Sequence, residues 1–371
     1  MSKVSRKCIL VVLFAVLALS ACGGDDPVEP DVTDPVGAQL AVRVIANGTV
    51  RATMASVEVE IRDASGALVA DATDLVTIAI GANPGNLLLH TSGISDGDRF
   101  IELVDHATPV VLTPELSINE TVDEMLGLAY DDASGVMYAT NREDTLYSID
   151  ITTGVATAIG APMVAPTVKG IAYSSAGNVL LGVQRDSDIM LSIDPATGDT
   201  TALGQVTIAG DVLEGFTGLD FDPTTGTLYA VAKLQSRINN KDRELVTIDP
   251  STLVATSVAS LSEDGIAAIT FLTDGSLLAV TGDGATNPET LWSVDMGTGV
   301  LSLILMLGNG DDGESIEAIP ARLSGTLSVA AVNGVATFNN LVIDGSGVGY
   351  TLVVSAAGLT GGTSAAFNIN Q

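Results

Sequence analysis

The sequence is poor in the residue types on which many enzymes and metal sites depend. Its 371 residues include two histidines and two cysteines, which leaves little material for histidine-based catalysis or a Cys/His zinc site. Basic residues are also scarce, because 15 lysines and arginines stand against 45 acidic residues, for a formal net charge of −30. Nucleic-acid binding and docking on anionic lipid through a basic patch both need clustered positive charge. We therefore expect no nucleic-acid partner.

The one long apolar run lies at the N-terminus, where three basic residues precede 13 mostly apolar residues, 9–21. That run is shorter than the roughly 20 residues that a membrane-spanning helix needs, and the pattern is typical of a secretory signal peptide. It ends in Leu19-Ser20-Ala21-Cys22, which resembles the lipobox of bacterial lipoproteins. The resemblance implies a signal peptide over 1–21 and lipid attachment at Cys22. The alternative is an ordinary signal peptide in which Cys22 has no role.

Residues 22–37 are rich in Pro, Gly and Asp and show no apolar periodicity, which predicts a disordered tether. Gly23 and Gly24, rather than Asp, follow the cysteine. By the lipoprotein resemblance, this favours a lipid-anchored location in the bacterial outer membrane or on the cell surface. The membrane would then be a partner of the protein through the N-terminal lipid.

The middle of the chain is a repeat. Similar segments begin at Gly127, Gly170, Gly218 and Ala268, and each contains four short apolar runs separated by turn sequences such as DASG, DPTTG and TDG. The apolar residues alternate with period two, which indicates strands rather than helices. Four strands in about 40–50 residues are the signature of one β-propeller blade.

An acidic turn that ends the third strand of each unit marks the repeat. Its copies, each followed by Thr three residues later, are Asp105, Asp150, Asp194, Asp249 and Asp295. We expect each Asp side chain to accept bonds from backbone N–H groups just downstream, and Gly154, Gly198 and Gly299 to adopt positive φ. The alternative, five metal carboxylates, is disfavoured because the five turns lie on different blades.

The first unit lacks its innermost strand, and a matching segment follows the last complete unit. Residues 315–319 stand where an opening strand belongs, and pairing them with residues 87–91 would close the ring within one blade. Closure avoids exposed sheet edges. We therefore predict an all-β fold with a five-bladed β-propeller over residues 85–320.

The two flanking segments, 38–84 and 321–371, carry alternating apolar residues with frequent Gly, Asn and Asp turns, a pattern typical of a β-sandwich. Together they resemble one bacterial Ig-like repeat, in which a turn like Asn83-Pro84-Gly85 leads directly into a segment like that at 323–327. The resemblance implies that the propeller is inserted into a loop of an Ig-like β-sandwich. Three separate domains in series are the alternative.

The propeller repeat, with its I-D-x-x-T-G signature, resembles the quinoprotein-like and YVTN-type repeats of secreted bacterial proteins. This resemblance implies the fold and carries no activity. Quinone binding is not carried over, because Trp292 is the only tryptophan available for stacking. We expect no cofactor and no metal site; the alternative is Ca²⁺, because the acidic loops 95–98, 282–287 and 308–314 contain oxygen ligands of the type it prefers.

Three basic residues share one position in the aligned blades, just past the second strand. They are Arg142, Arg185 and Lys233. Variable loops on a rigid ring commonly carry ligand recognition, so we predict that these residues rim a site for an anionic or polyhydroxylated ligand. The alternative is a set of local salt bridges. The acidic candidates are Glu143, Asp144, Asp186 and Asp188.

The sequence as a whole favours an exported, lipid-anchored surface or periplasmic protein. We expect a non-catalytic binding, adhesion or scaffold role through the propeller loop face, with a glycan or protein ligand and no catalytic residues. The alternative is a glycan-acting enzyme that uses carboxylates in the propeller funnel. Such an enzyme would place two carboxylates about 5–10 Å apart in a pocket, whereas a funnel lined by Ala, Thr and Val would favour the binding role.

Overall fold

The computed structural model describes residues 38–93, 99–105, 110–111, 116–117, 125–142, 144–151, 153–163, 168–174, 177–184, 187–236, 242–282, 284–307 and 312–370. These residues form 34 β-strands in nine sheets and no helix. Within them, no helix has the length and apolarity that crossing a bilayer requires. The predicted signal peptide 1–21, the tether 22–37 with Cys22, and Arg185 lie outside the described residues.

Four strands precede the repeat and eight follow it. The first four are β1 (Gln39–Val42), β2 (Gly48–Thr49), β3 (Val57–Arg62) and β4 (Leu75–Ile80). The strands of the repeat are β5 (Asn86–Gly93), β6 (Arg99–Asp105), β7 (Val110–Val111), β8 (Leu116–Ser117), β9 (Met125–Asp131), β10 (Val136–Asn141), β11 (Leu146–Ile149), β12 (Ala156–Ile159), β13 (Val168–Ser174), β14 (Val179–Gln184), β15 (Ile189–Ile193), β16 (Thr200–Gln205), β17 (Thr207–Ile208), β18 (Leu213–Phe221), β19 (Leu228–Leu234), β20 (Glu244–Asp249), β21 (Val254–Ser260), β22 (Ile266–Phe271), β23 (Leu277–Thr281), β24 (Thr290–Asp295), β25 (Val300–Met306) and β26 (Asp312–Pro320). The last eight are β27 (Leu323–Ser324), β28 (Ser328–Ala330), β29 (Val335–Phe338), β30 (Val342–Ile343), β31 (Gly347–Tyr350), β32 (Leu352–Ser355), β33 (Gly362–Thr363) and β34 (Phe367–Asn370).

The strands of the repeat form five sheets, in which strands that follow one another along the chain are mostly antiparallel neighbours. The sheets have the orders β26-β5-β6-β7, β9-β10-β11-β12, β13-β14-β15-β16, β18-β19-β20-β21-β17 and β22-β23-β24-β25. Their first strands lie side by side in the order β9, β13, β18, β22 and β26, and β26 in turn lies against β9. This all-β arrangement fits a β-propeller, because the inner strands surround one axis.

The closing strand is the element on which the ring depends. The predicted pairing of residues 315–319 with 87–91 is confirmed, because β26 runs antiparallel to β5 with Ile316 opposite His90 and Ala318 opposite Leu88. Leu88 and Ile316 are buried in one hydrophobic cluster that also receives side chains from β23 and β24. The chain therefore enters and leaves the ring at the same place, where Ala321 N donates to Gly85 O at 2.9 Å.

The glycines within inner strands β9 and β18 have a steric reason. A Cβ on Gly218 would lie 2.8 Å from the backbone nitrogen of Ile269 on the next inner strand, and a Cβ on Gly127 would lie 3.2 Å from that of Ile171. Adjacent inner strands can approach this closely only when the residue between them has no side chain.

Four of the five acidic turns have the predicted local bonds, and the turn after Asp105, residues 106–109, lies outside the described residues. Gly154, Gly198 and Gly299 have φ of 75°, 74° and 73°. The backbone N–H of Ala196 donates to Asp194 Oδ1 at 2.8 Å, and equivalent bonds from two residues downstream reach Asp249 and Asp295. Asp150 Oδ1 accepts a longer bond, of 3.3 Å, from Thr153 N. These side chains therefore hold the turns through local bonds.

The segments before and after the ring share one hydrophobic core. Strand β3 lies between β1 and β29, with Val59 opposite Ala336, and β4 lies between β28 and β32. Val59, Phe338 and Tyr350 are fully or almost fully buried in the same cluster. Residues far apart in the sequence thus stabilise each other beside the ring.

Candidate ligand-binding cavity

A cavity of about 120 Å³ opens at the C-terminal ends of the inner strands. It is lined by Asp132, Pro223 and Thr273, which follow β9, β18 and β22, and by Asp220 and Glu317 of strands β18 and β26. The cavity therefore lies at the end of the ring axis, where residues from several sheets converge.

The two carboxyl groups occupy one position of the repeat. The inner strands align at Gly127, Gly170, Gly218, Ala268 and Ser315, and two residues further on they carry Ala129, Ala172, Asp220, Thr270 and Glu317. Two sheets thus carry alanine where two others carry a carboxylate. This departure from the repeat is the sequence signal that points to the site.

The polar side chains at this position link neighbouring sheets. Each accepts a hydrogen bond from a backbone N–H of the next inner strand, as a buried N–H requires a partner. The bonds are Phe271 N to Asp220 Oδ2 at 2.7 Å, Ala318 N to Thr270 Oγ1 at 2.8 Å, and Tyr130 N to Glu317 Oε1 at 2.9 Å. The carboxylates are therefore held rigidly by the backbone of the ring.

Burial makes these carboxyl groups unusually weak acids. It raises the pKa of Asp220 to about 7, although bonds from the N–H groups of Phe271 and Phe221 favour the ionised form. Glu317 is only 7% exposed, and burial together with the charge of Asp220 raises its pKa well above the ordinary range. Burial and the charge of Asp131 also raise the pKa of Asp132. The pair in the cavity therefore retains a proton near neutral pH.

Aromatic side chains form much of the remaining wall. Tyr130, Tyr173 and Phe271 all line the cavity. Two of these side chains pack against a further aromatic side chain. The ring centroids are 5.1 Å apart for Phe271 and Tyr229 and 6.1 Å apart for Tyr173 and Tyr138. The cavity thus combines hydrogen-bond acceptors with apolar aromatic surfaces.

The predicted basic residues lie elsewhere. Lys233 of β19 is opposite Glu214 near the start of β18, and its Nζ lies 3.3 Å from Glu214 Oε2. Arg142 is exposed and directly follows β10, and Arg185 lies outside the described residues. Because the carboxylate cavity opens at the other end of the inner strands, the two described basic residues do not line it.

Calcium was the alternative cofactor. Among the residues that the structure describes, no group of three or more His, Cys, Asp or Glu side chains is arranged to hold a metal ion. Loop 95–98, residue 283 and residues 308–311 of the predicted acidic loops lie outside the described part of the chain.

No protein-family model matches the chain, and no curated protein matches it. Solved structures with similar folds include a nidogen/laminin complex (16% identity, TM-score 0.45, covering 70% of this chain and 97% of that chain). They also include a candidate gluconolactonase (11%, 0.38, 68% and 92%) and hydrazine synthase of Kuenenia stuttgartiensis (14%, 0.33, 74% and 64%). All three TM-scores are below 0.5, so the fold is assigned from the strand pairings of this protein itself.

Proposed function

We propose that this protein is an exported, lipid-anchored binding protein of the bacterial outer membrane or cell surface. Its body would be a five-bladed propeller over 85–320 inserted into an Ig-like sandwich formed by 38–84 and 321–371. The closed order of five inner strands and the core shared by both flanking segments support this architecture. The leader and its lipobox-like end support export and anchoring at Cys22.

The cavity is the observation that carries the binding role. Two carboxyl groups accept hydrogen bonds from a ligand, and aromatic side chains pack against its apolar faces. Hydroxyl-rich ligands such as saccharides have both features, so the proposed ligand is a small saccharide or a unit of a glycan.

Binding is tested by calorimetry of the full chain with a panel of monosaccharides and oligosaccharides. Binding that Glu317→Gln weakens at least tenfold supports the proposal, since the amide still accepts the bond from Tyr130 N. The matched control is Asp222→Asn, because Asp222 bonds to Thr224 and Thr225 and does not line the cavity. A panel without any binder, or binding that Glu317→Gln leaves unchanged, would overturn the cavity as the site.

Anchoring is tested by the variant Cys22→Ser. Expressed in a bacterium that processes lipoproteins, the natural chain should incorporate labelled fatty acid and sediment with membranes, and the variant should do neither. Equal membrane association and labelling of both chains would contradict lipid attachment at this cysteine.

The basic residues Arg142, Arg185 and Lys233 are retained as a second proposed surface, for an anionic ligand. Their simultaneous replacement by alanine should abolish binding of an anionic glycan such as heparin. Unchanged binding would refute this surface without affecting the cavity.

A glycan-acting enzyme is the second candidate function, and the carboxyl pair specifically favours it. Glycoside hydrolysis commonly uses one protonated and one ionised carboxyl group, and the pKa directions of Asp220 and Glu317 allow that state near neutral pH. Cleavage of a glycan by the natural chain, lost in both Asp220→Asn and Glu317→Gln, would support it. Saccharide binding without cleavage would leave the binding role.

A further inference from the structure

We infer that the ligand of this cavity carries an ammonium group, which binds between the carboxyl groups of Asp220 and Glu317 beside the aromatic rings of Tyr130 and Phe271. The inference deepens the proposed function, since it requires that the cavity is a ligand site. It names the ligand as a small organic cation, such as an amino-substituted polyol or sugar.

The charge of the cavity is the first argument. Three carboxylic residues, Asp132, Asp220 and Glu317, line it, and none of its described lining residues is Lys, Arg or His. Arg322 acts on Tyr130 from outside the cavity and is paired with Asp344 at 3.6 Å. An anionic ligand would therefore meet only repulsion, whereas a cation would be attracted by every ionised group in the wall.

The hydrogen bonding of Glu317 is the second, independent argument. Its side chain is more than nine-tenths buried and lines the cavity. Oε1 accepts a hydrogen bond of 2.9 Å from Tyr130 N, which holds the carboxyl group in the wall of the cavity. An ammonium group beside it supplies up to three donors together with a compensating charge.

The aromatic wall is the third argument. Cations bind favourably over the faces of aromatic rings, and more strongly where water is excluded. Tyr130, Tyr173 and Phe271 line the same cavity as the carboxyl pair, and the ring of Phe271 packs against that of Tyr229. The same side chains that pack against a sugar ring thus also favour a positively charged substituent on it.

Proton exchange follows from this geometry. Without ligand, burial and mutual repulsion keep a proton on the pair; the described charged groups that act on Glu317 are Asp220 and Asp132. An ammonium group replaces that proton, so each bound cation should release up to one proton below about pH 7. Cation affinity should accordingly rise about tenfold per pH unit in that range.

The test compares 1-amino-1-deoxysorbitol with sorbitol, which differ by an ammonium group in place of one hydroxyl. Calorimetry of the full chain at pH 6, in two buffers of different ionisation enthalpy, gives both affinity and proton release. We expect the amine to bind at least tenfold more tightly than sorbitol, to release a proton, and to lose at least tenfold in affinity in Glu317→Gln. Asp222→Asn, the matched control, should bind as the natural chain does.

The outcomes separate the two proposals. Equal binding of amine and polyol, both weakened by Glu317→Gln, would overturn the ammonium inference and leave the cavity as a ligand site. Binding of neither compound, together with no binder among the saccharides, would overturn both. If Glu317→Gln fails to fold, the pH dependence of amine binding to the natural chain decides: affinity that does not change between pH 5 and 6.5 refutes the inference.

Discussion

Ionisation of Asp220 should destabilise the folded protein as the pH rises towards neutrality. Burial keeps this side chain protonated up to about pH 7 in the folded state, whereas in the unfolded chain it ionises near 3.8. A raised carboxyl pKa contributes stability that is present in full below the unfolded value and is lost as the pH passes the folded value. The difference between 3.8 and about 7 corresponds to a loss of about 4 kcal/mol above pH 7.

The substitution Asp220→Asn removes this dependence because the amide does not titrate. The two oxygens of Asp220 accept hydrogen bonds from the backbone N–H groups of Phe221 and Phe271. Asparagine has one acceptor oxygen in this position, so only one of the two N–H groups keeps its partner. Leaving the other unpaired costs about 1–3 kcal/mol. The variant should therefore be less stable than the natural chain at pH 5, and the difference should shrink or reverse by pH 8.

Urea unfolding of both chains between pH 4.5 and 8.5 measures this difference. The control is Asp222→Asn, the same change of side chain at a carboxyl group that does not line the cavity. Burial alone would raise the pKa of Asp222, but bonds from Thr224 and Thr225 outweigh it and lower the pKa, so the effect of this substitution should be constant above about pH 5. A difference between Asp220→Asn and the natural chain that stays within about 0.5 kcal/mol across the range would refute the reasoning.

Three further predictions concern the ring, and urea unfolding at pH 6 tests each. Leu88→Ala should cost about 2–5 kcal/mol, because Leu88 is fully buried with residues of the closing strand; a loss below 1 kcal/mol would contradict its place in the core. Gly218→Ala should cost about 1–3 kcal/mol, since the added Cβ meets the backbone of Ile269, while Gly284→Ala, with open space around the Cβ, should stay within about 0.5 kcal/mol; equal effects would contradict the steric argument. Lys233→Met should cost at most about 1 kcal/mol, because the ion pair with Glu214 is partly exposed, and a larger loss would indicate a role that this pair does not explain.

The repeat made much of the fold predictable. Period-two alternation predicted the strands, and the Asp–Gly turns at 150–154, 194–198 and 295–299 have the expected φ values and bonds. The closing strand was also predictable, because residues 315–319 fill the one place where the first unit lacks a strand. Each of these inferences depended on residues close in sequence or on a gap in a periodic pattern.

The cavity was not predicted, for a reason that Asp220 and Glu317 make clear. The basic residues past the second strand are the more visible exception in the repeat, but the two of them that the structure describes do not line the cavity. Both carboxylates stand out only when the inner strands are compared two residues after the aligned Gly218 and Ser315. Sequence comparison alone does not show that the two carboxyl groups share a cavity, because β18 and β26 belong to different sheets.

The amino-acid sequence alone accounts for the local structure: strands, acidic turns and the glycines that let inner strands approach each other. These features depend on backbone sterics and on hydrogen bonds between near neighbours in the chain. The acidity of Asp220 and Glu317 and the cavity they share arise from the way the chain folds in three dimensions. The pKa of a carboxyl group depends on its exposure to water and on the charges around it, and here ring closure sets both.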